Sequence, residues 1–253
     1  MREIEIVEIA GMEDFFQEMV PQLGFQRVPV YRGQGVSNWK LFPTLFREEV
    51  AKTEFKSWAE LEAAFLIGLK QRGRSELGYE PATELEWMAV GSHHGLPTRF
   101  TSWSENALVA LFFATDPSHP EVDGAVWRLM PGDTSLMISQ DYEQVPEQAR
   151  LYRPQRPTSA MLNQKTCFLS HPLPKEDATS ECFEDLFELG GERLSLAKLI
   201  IPASEKAFLR RRLATMGFDH RAMFPGMGGL CRDIREELYC HTDSYEWIFP
   251  ERA

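Results

Sequence analysis

No stretch of this chain approaches the ~18 consecutive apolar residues that a membrane-spanning helix needs. Its N-terminal MREIEIVEIA alternates glutamates with β-branched residues, so it lacks the apolar core of a signal peptide. Cysteine is sparse: Cys167, Cys182, Cys231 and Cys240 are widely separated, with no CxxC pair. That spacing argues against a zinc site and against a disulfide scaffold, and leaves free thiols in a reducing cytoplasm as the expectation. Positive charge is in deficit, with 27 Lys and Arg against 38 Asp and Glu, a net charge of −11. Phosphate contacts dominate nucleic-acid affinity, so general DNA or RNA binding is disfavoured. A small anion held by one or two local arginines stays open. The chain also lacks a GxSxG elbow, a P-loop, an HExxH helix and a Rossmann GxGxxG. No metal is expected, since the adjacent His93 and His94 would point in different directions on a helix. GMGG at 226–229 reads as a turn before a helix, and Arg210-Arg211-Arg212 as a solvated helix face.

What is present is ordinary for a globular protein: 43% hydrophobic and 26% charged residues. There are no repeats and no linker, so residues 1–253 are expected to form one domain, with a core at about 27–235. Strands are predicted at 2–9, 28–31, 124–129, near 166–169 and at 196–201. In the first, the alternation slips at Ile6-Val7, so Val7 and Ile9 face away from Ile4 and Ile6 unless a bulge intervenes. Helices are predicted from Gly11 to Val20 with Pro21 ending the helix, from Phe46 to Arg72, from Ala82 to His93, from Ser204 to Met216 and from Cys231 to Cys240. Ser102 and Glu105 have capping-box spacing, which predicts that a buried helix through ALVALFFAT opens there. The connection 131–157 is polar, and 171–192 is an acidic excursion. The fold class is α+β, a short mixed β-sheet packed by several helices.

Unusual chemistry concentrates in Glu86–Ala114. Arg32 is the first candidate, closing an apolar strand. Its guanidinium either grips a carboxylate or phosphate bidentately or pairs with a core carboxylate as a strut. Gly33 would let backbone approach a ligand closely. His94, at a helix end beside Gly95, is an acid, base or orienting group near neutral pH, or a satisfied core histidine. Thr98, Arg99, Thr101, Ser102 and Ser104 surround Trp103; the hydroxyls suit a sugar or amide, but Ser102 and Ser104 also suit helix capping.

Tyr31-Arg32-Gly33-Gln34, Trp39, Leu41, Pro43, Arg47, Trp87, His94-Gly95-Leu96-Pro97-Thr98-Arg99, Trp103, Ala107 and Phe112-Phe113-Ala114 together resemble the FRG domain family. That family is named for its (F/Y)RG tripeptide, and its second hallmark reads like HxGLPTRLLDWT…A…FA. Gly124–Leu129, Arg156…Gln164…Phe168, the strand before Pro202 and MFPGMGGL resemble later landmarks. Thr101 and Ser102 stand where the family usually has Leu-Asp, so a role resting on that aspartate does not carry over. The resemblance implies a bacterial accessory protein, of the kind used in phage defence.

The element order also resembles, more distantly, ADP-ribosyltransferases of the Arg–Ser–Glu kind. That likeness implies NAD as ligand and transfer or hydrolysis of ADP-ribose. It gives catalytic places to Arg32, His94 and Gln164, and ligand-binding places to Tyr31, Gly33, Thr98, Arg99, Ser102, Trp103 and Ser104. Gln164 falls where such enzymes carry the glutamate that holds the nicotinamide ribose; an amide offers that ribose no full charge, and Glu236 is the alternative acid. A non-catalytic module that binds a ligand or a protein is the rival expectation.

Overall fold

A computed structural model of the chain describes residues 4–19, 29–48, 54–131, 149–173 and 194–240. Expectations for Val20-Pro21, the strand start at Val28, the segments 132–148 and 174–193, and Cys182 lie outside these residues. Seven strands are described: β1 (Glu5–Glu8), β2 (Val30–Gln34), β3 (Phe100–Ser104), β4 (Gly124–Pro131), β5 (Arg150–Tyr152), β6 (Thr166–Ser170) and β7 (Leu194–Ile201). They form one mixed sheet in the order β1-β7-β4-β2-β3-β6-β5, where β1 and β7 run parallel and every other pair antiparallel. The α+β class with a mixed sheet is as the sequence predicts.

The described helices are α1 (Met12–Met19), α2 (Trp58–Arg72), α3 (Glu84–His93), α4 (Ala107–Ala114), α5 (Ser159–Asn163), α6 (Ala203–Thr215), α7 (His220–Met223) and α8 (Met227–Cys240). The Ser/Thr-x-x-Glu signal does open helices here, at α2 and α3. Ser57 accepts from the Glu60 backbone N–H, and Thr83 from that of Glu86. Each glutamate in turn accepts from the residue before the cap, Lys56 or Ala82, so two orphan donors are satisfied together. The long helix expected from Phe46 is replaced by a 3-10 turn at Leu45–Arg47 and α2.

The same spacing misleads at Ser102-Glu105. Residues 100–104 form β3, paired with β6 along its full length, and α4 opens at Asn106, whose side chain accepts from the Leu108 N–H. The sheet ladder outweighs a cap because β6 offers backbone partners along the whole segment. Two further elements are not among those predicted: β5 falls in the stretch read as polar connection, and α5 lies between it and the strand expected near 166. At the C-terminal end Gly226, at φ +107°, forms the turn, while Met227-Gly228-Gly229 already belong to α8, which opens four residues before the expected Cys231.

Strand β1 runs in unbroken register with β7, so no bulge repairs its alternation. Val7 and Ile9 face the main core, and Ile6 is left 67% exposed. That core lies between one sheet face and α1, α4, α6 and α7. Helix α4 sits unusually close to the sheet: a Cβ on Gly33 would lie 1.8 Å from the Ala110 carbonyl oxygen, and one on Gly124 would lie 2.1 Å from that of Ala114. Both glycines exist to admit α4, and the small residues Ala110 and Ala114 are its matching surface. The other face of the sheet carries a core built around Val30, Trp103, Trp127, Leu151 and Leu169.

Candidate functional site

Strands β2 and β3 are registered through one pair, Tyr31 with Ser104. Beyond it, sheet bonding between them stops, and the guanidinium of Arg32 bridges the opening, its Nη1 donating to the Ser102 carbonyl at 2.6 Å. Arg32 therefore lies inside β2, not at its end, and alternates with Tyr31 and Gly33, which face α4. A cavity of about 250 Å³ occupies this seam, lined by β2, β3, α4 and the start of β6.

The cavity gathers Tyr31, Arg32, Gly33, Ser102, Trp103, Ser104 and Gln164 from the sequence candidates. His93 and Thr166 join them. Two of its polar groups, Arg32 Nε and Thr166 Oγ1, are buried with no hydrogen-bond partner among the described residues, and Ser102 lines the cavity with them. Orphans of this kind are rare in native proteins and mark places where a ligand or water completes the bonding. No described carboxylate lies within ion-pair distance of Arg32. Burial, and then the charge of Arg47, bring its pKa down to about 10. The strut reading of Arg32 thus lacks its carboxylate.

Behind Arg32, buried polar side chains bond one another. His171 Nε2 and Thr101 Oγ1 are 3.0 Å apart, and Trp103 Nε1 donates to the same hydroxyl at 2.9 Å. Burial first, and the Arg32 charge second, push the His171 imidazole down to about 3, so it is neutral. Trp127 Nε1 donates to Gln34 Oε1, which fixes the next layer.

Other candidates have structural partners or sit elsewhere. His94 caps α3, is exposed and does not line the cavity; its neighbour His93 does. Burial, then His94, lowers the His93 imidazole to about 4. Helical spacing carries the signal for His93, which follows the buried Ala89 and Val90 by four and three residues. Thr98 is fully buried outside the cavity and its hydroxyl accepts from the Phe100 N–H. Arg99 is gripped by Glu62, its backbone N–H at 2.8 Å from Oε1 and its Nε at 2.7 Å from Oε2, so the GLPTR turn is pinned to α2. Ser104 donates to the Gln164 carbonyl and accepts from the Asn106 N–H, locking the turn into α4. Gln164, the C-cap of α5, donates from Nε2 to the Met223 carbonyl at 2.9 Å. The close approach at Gly33 is to α4.

Glu236 lies apart from this seam, bonded to Arg210 and His220. Desolvation opposes its charge, but those hydrogen bonds prevail and bring its pKa to about 2. It is a fixed carboxylate, unsuited to carry a proton. Arg210 is correspondingly buried; of the triple arginine, Arg211 and Arg212 form the solvated face. Thr166 escaped the sequence reading because nothing before the β3–β6 register puts it opposite Ser104.

Among the described residues, no helix is long and apolar enough to cross a membrane. No curated protein and no solved structure matches the chain. The FRG domain model matches residues 27–122, which span β2 through α4 and hold Arg32, Gly33, His93, Ser102 and the helix that Gly33 admits. The chain carries an FRG domain.

Proposed function

We propose that the chain binds a nucleotide such as NAD at the Arg32 seam and holds it without cleaving it. The observation that carries this reading is the pair of orphaned buried groups, Arg32 Nε and Thr166 Oγ1, around one cavity that Ser102 also lines and in which no described carboxylate competes. A guanidinium in that setting favours a carboxamide, carboxylate or phosphate oxygen. At about 250 Å³ the space falls just below the usual range of small-molecule pockets, so it takes one group of a dinucleotide rather than the whole.

Cleaving or transferring ADP-ribose asks for negative charge beside an oxocarbenium-like transition state. None of the described residues lining the cavity is Asp or Glu, and the Gln164 amide is committed to the Met223 carbonyl. A preorganised group of that kind is worth about 10²–10³ in rate. A ligand reader is therefore favoured over an NAD-consuming enzyme. Family analogy alone sets such a reader among bacterial accessory proteins used against phage. The sheet draws strands from residues 5 to 201, which supports a single domain larger than the matched 27–122.

Titration calorimetry with NAD and ADP-ribose tests the reading. Wild type binds, and Arg32→Met keeps its melting temperature but loses binding. Nicotinamide release from labelled NAD would replace the reader with an enzyme, and absence of binding at millimolar nucleotide would remove the proposal.

A further inference from the structure

We propose that a second cavity, of about 780 Å³, binds a phosphate-bearing small molecule. It adjoins the Arg32 seam, and Phe113 and Phe224 line both. Four cations, Lys206, Arg210, Arg232 and Arg235, face two carboxylates, Asp116 and Glu236, around this space. In a chain of net charge −11, such a local excess of positive charge focuses an anion.

The cations divide into two roles. Lys206 is consumed by the carbonyls of Gly35, His119 and Val122, at 3.0, 2.6 and 3.1 Å. Arg210 is consumed by Glu236 and the Phe112 carbonyl, and lies over the Phe112 ring at 3.6 Å. These two build the wall and lend it charge. Arg232 and Arg235 are exposed and three residues apart on α8, hence on one face. Arg232 has no ion pair among the described residues; its guanidinium lies 5.8 Å from the Phe224 ring centre. An exposed arginine beside a fixed cationic wall suits the tetrahedral oxygens of a phosphate.

A second observation points the same way. His220 Nε2 is 2.9 Å from Glu236 Oε2, which keeps a proton on that nitrogen. Its Nδ1 is buried without a partner among the described residues. When doubly protonated, the ring presents Nδ1–H as a further phosphate donor. The His220 and Phe224 rings stack at 5.9 Å and 30°, giving a flat wall beside the phosphate subsite.

The test is calorimetric titration of the full chain with inorganic pyrophosphate and with ADP. Wild type binds pyrophosphate; Arg232→Glu and Arg235→Glu each weaken it roughly tenfold or more, the loss expected for a charge-assisted hydrogen bond. Ser102→Ala, in the neighbouring seam, leaves pyrophosphate binding unchanged. Tighter binding of ADP assigns the site to a nucleoside-borne phosphate, and equal binding to the free anion. No pyrophosphate binding by wild type, unchanged affinity in both arginine variants, or a loss caused by Ser102→Ala overturns the proposal. Failure of NAD to bind at the Arg32 seam leaves it standing.

Discussion

Replacing Ser102 with aspartate introduces the residue type of the FRG hallmark HxGLPTRLLDWT beside its tryptophan, and it tests the seam directly. The drop of the Arg32 pKa from 12.5 to about 10 corresponds to roughly 3 kcal/mol of disfavour for the buried charge, at about 1.4 kcal/mol per tenfold. Ser102 accepts from that guanidinium through its carbonyl and lines the same cavity, so a carboxylate at position 102 acts on the Arg32 charge across that space. Because the cavity admits water, about half of the disfavour is recovered, roughly 1.5 kcal/mol, near the lower end for a hydrogen bond between charged groups. For a chain of this length that stabilisation raises the melting temperature by about 3–6 °C. The new carboxylate also occupies the guanidinium, so NAD binds about tenfold more weakly. Ser102→Asn, equal in size and uncharged, is the control and shows neither effect. Thermal unfolding and calorimetry of the two variants decide the matter. An aspartate variant that melts no higher than the asparagine variant, or that binds NAD as wild type does, refutes the claim that Arg32 lacks a carboxylate.

Thr166→Val removes a buried hydroxyl with no partner, so it leaves stability equal or raises it by about 1 kcal/mol while weakening ligand binding; urea unfolding with and without nucleotide separates the two. Glu62→Ala strands the Arg99 guanidinium and costs about 3–5 kcal/mol in denaturant titration. Gly33→Ala drives a methyl into the Ala110 carbonyl and lowers stability by several kcal/mol or prevents folding, against at most about 1 kcal/mol for Gly11→Ala, where nothing lies within 4 Å. The histidines set a pH dependence. His171 and His93 are held neutral, with folded values near 3 and 4 against 6.5 unfolded. The unfolded chain therefore takes up protons that the fold refuses, and stability falls as pH drops below about 6.5, by about 1.4 kcal/mol per pH unit for each histidine until its folded value is reached. His171→Gln removes its share of that slope between about pH 6.5 and 5.5, and an unchanged slope counts against a neutral buried imidazole.

The sequence by itself determined which local segments take regular form, because period and capping are local properties. Strands at β2, β4, β6 and β7 follow from apolar runs between turn residues, and α3 from its apolar face ending at Gly95. It also marked Arg32 and Ser102 as candidates, to which the distant likeness added Gln164. Tertiary structure decided the remainder. Ser102 read locally as a cap; it lies in a strand because β6 offers all five residues a partner, and pairing between distant segments leaves no local trace. His93 replaced His94 because helix phase, not adjacency to Gly95, sets which ring turns inward. Gly33 read as room for a ligand, but the atom that needs the space is a carbonyl of α4, contributed 77 residues later by Ala110. Thr166, and the lack of any described carboxylate at Arg32, are properties of a seam that exists only once β2 and β3 part.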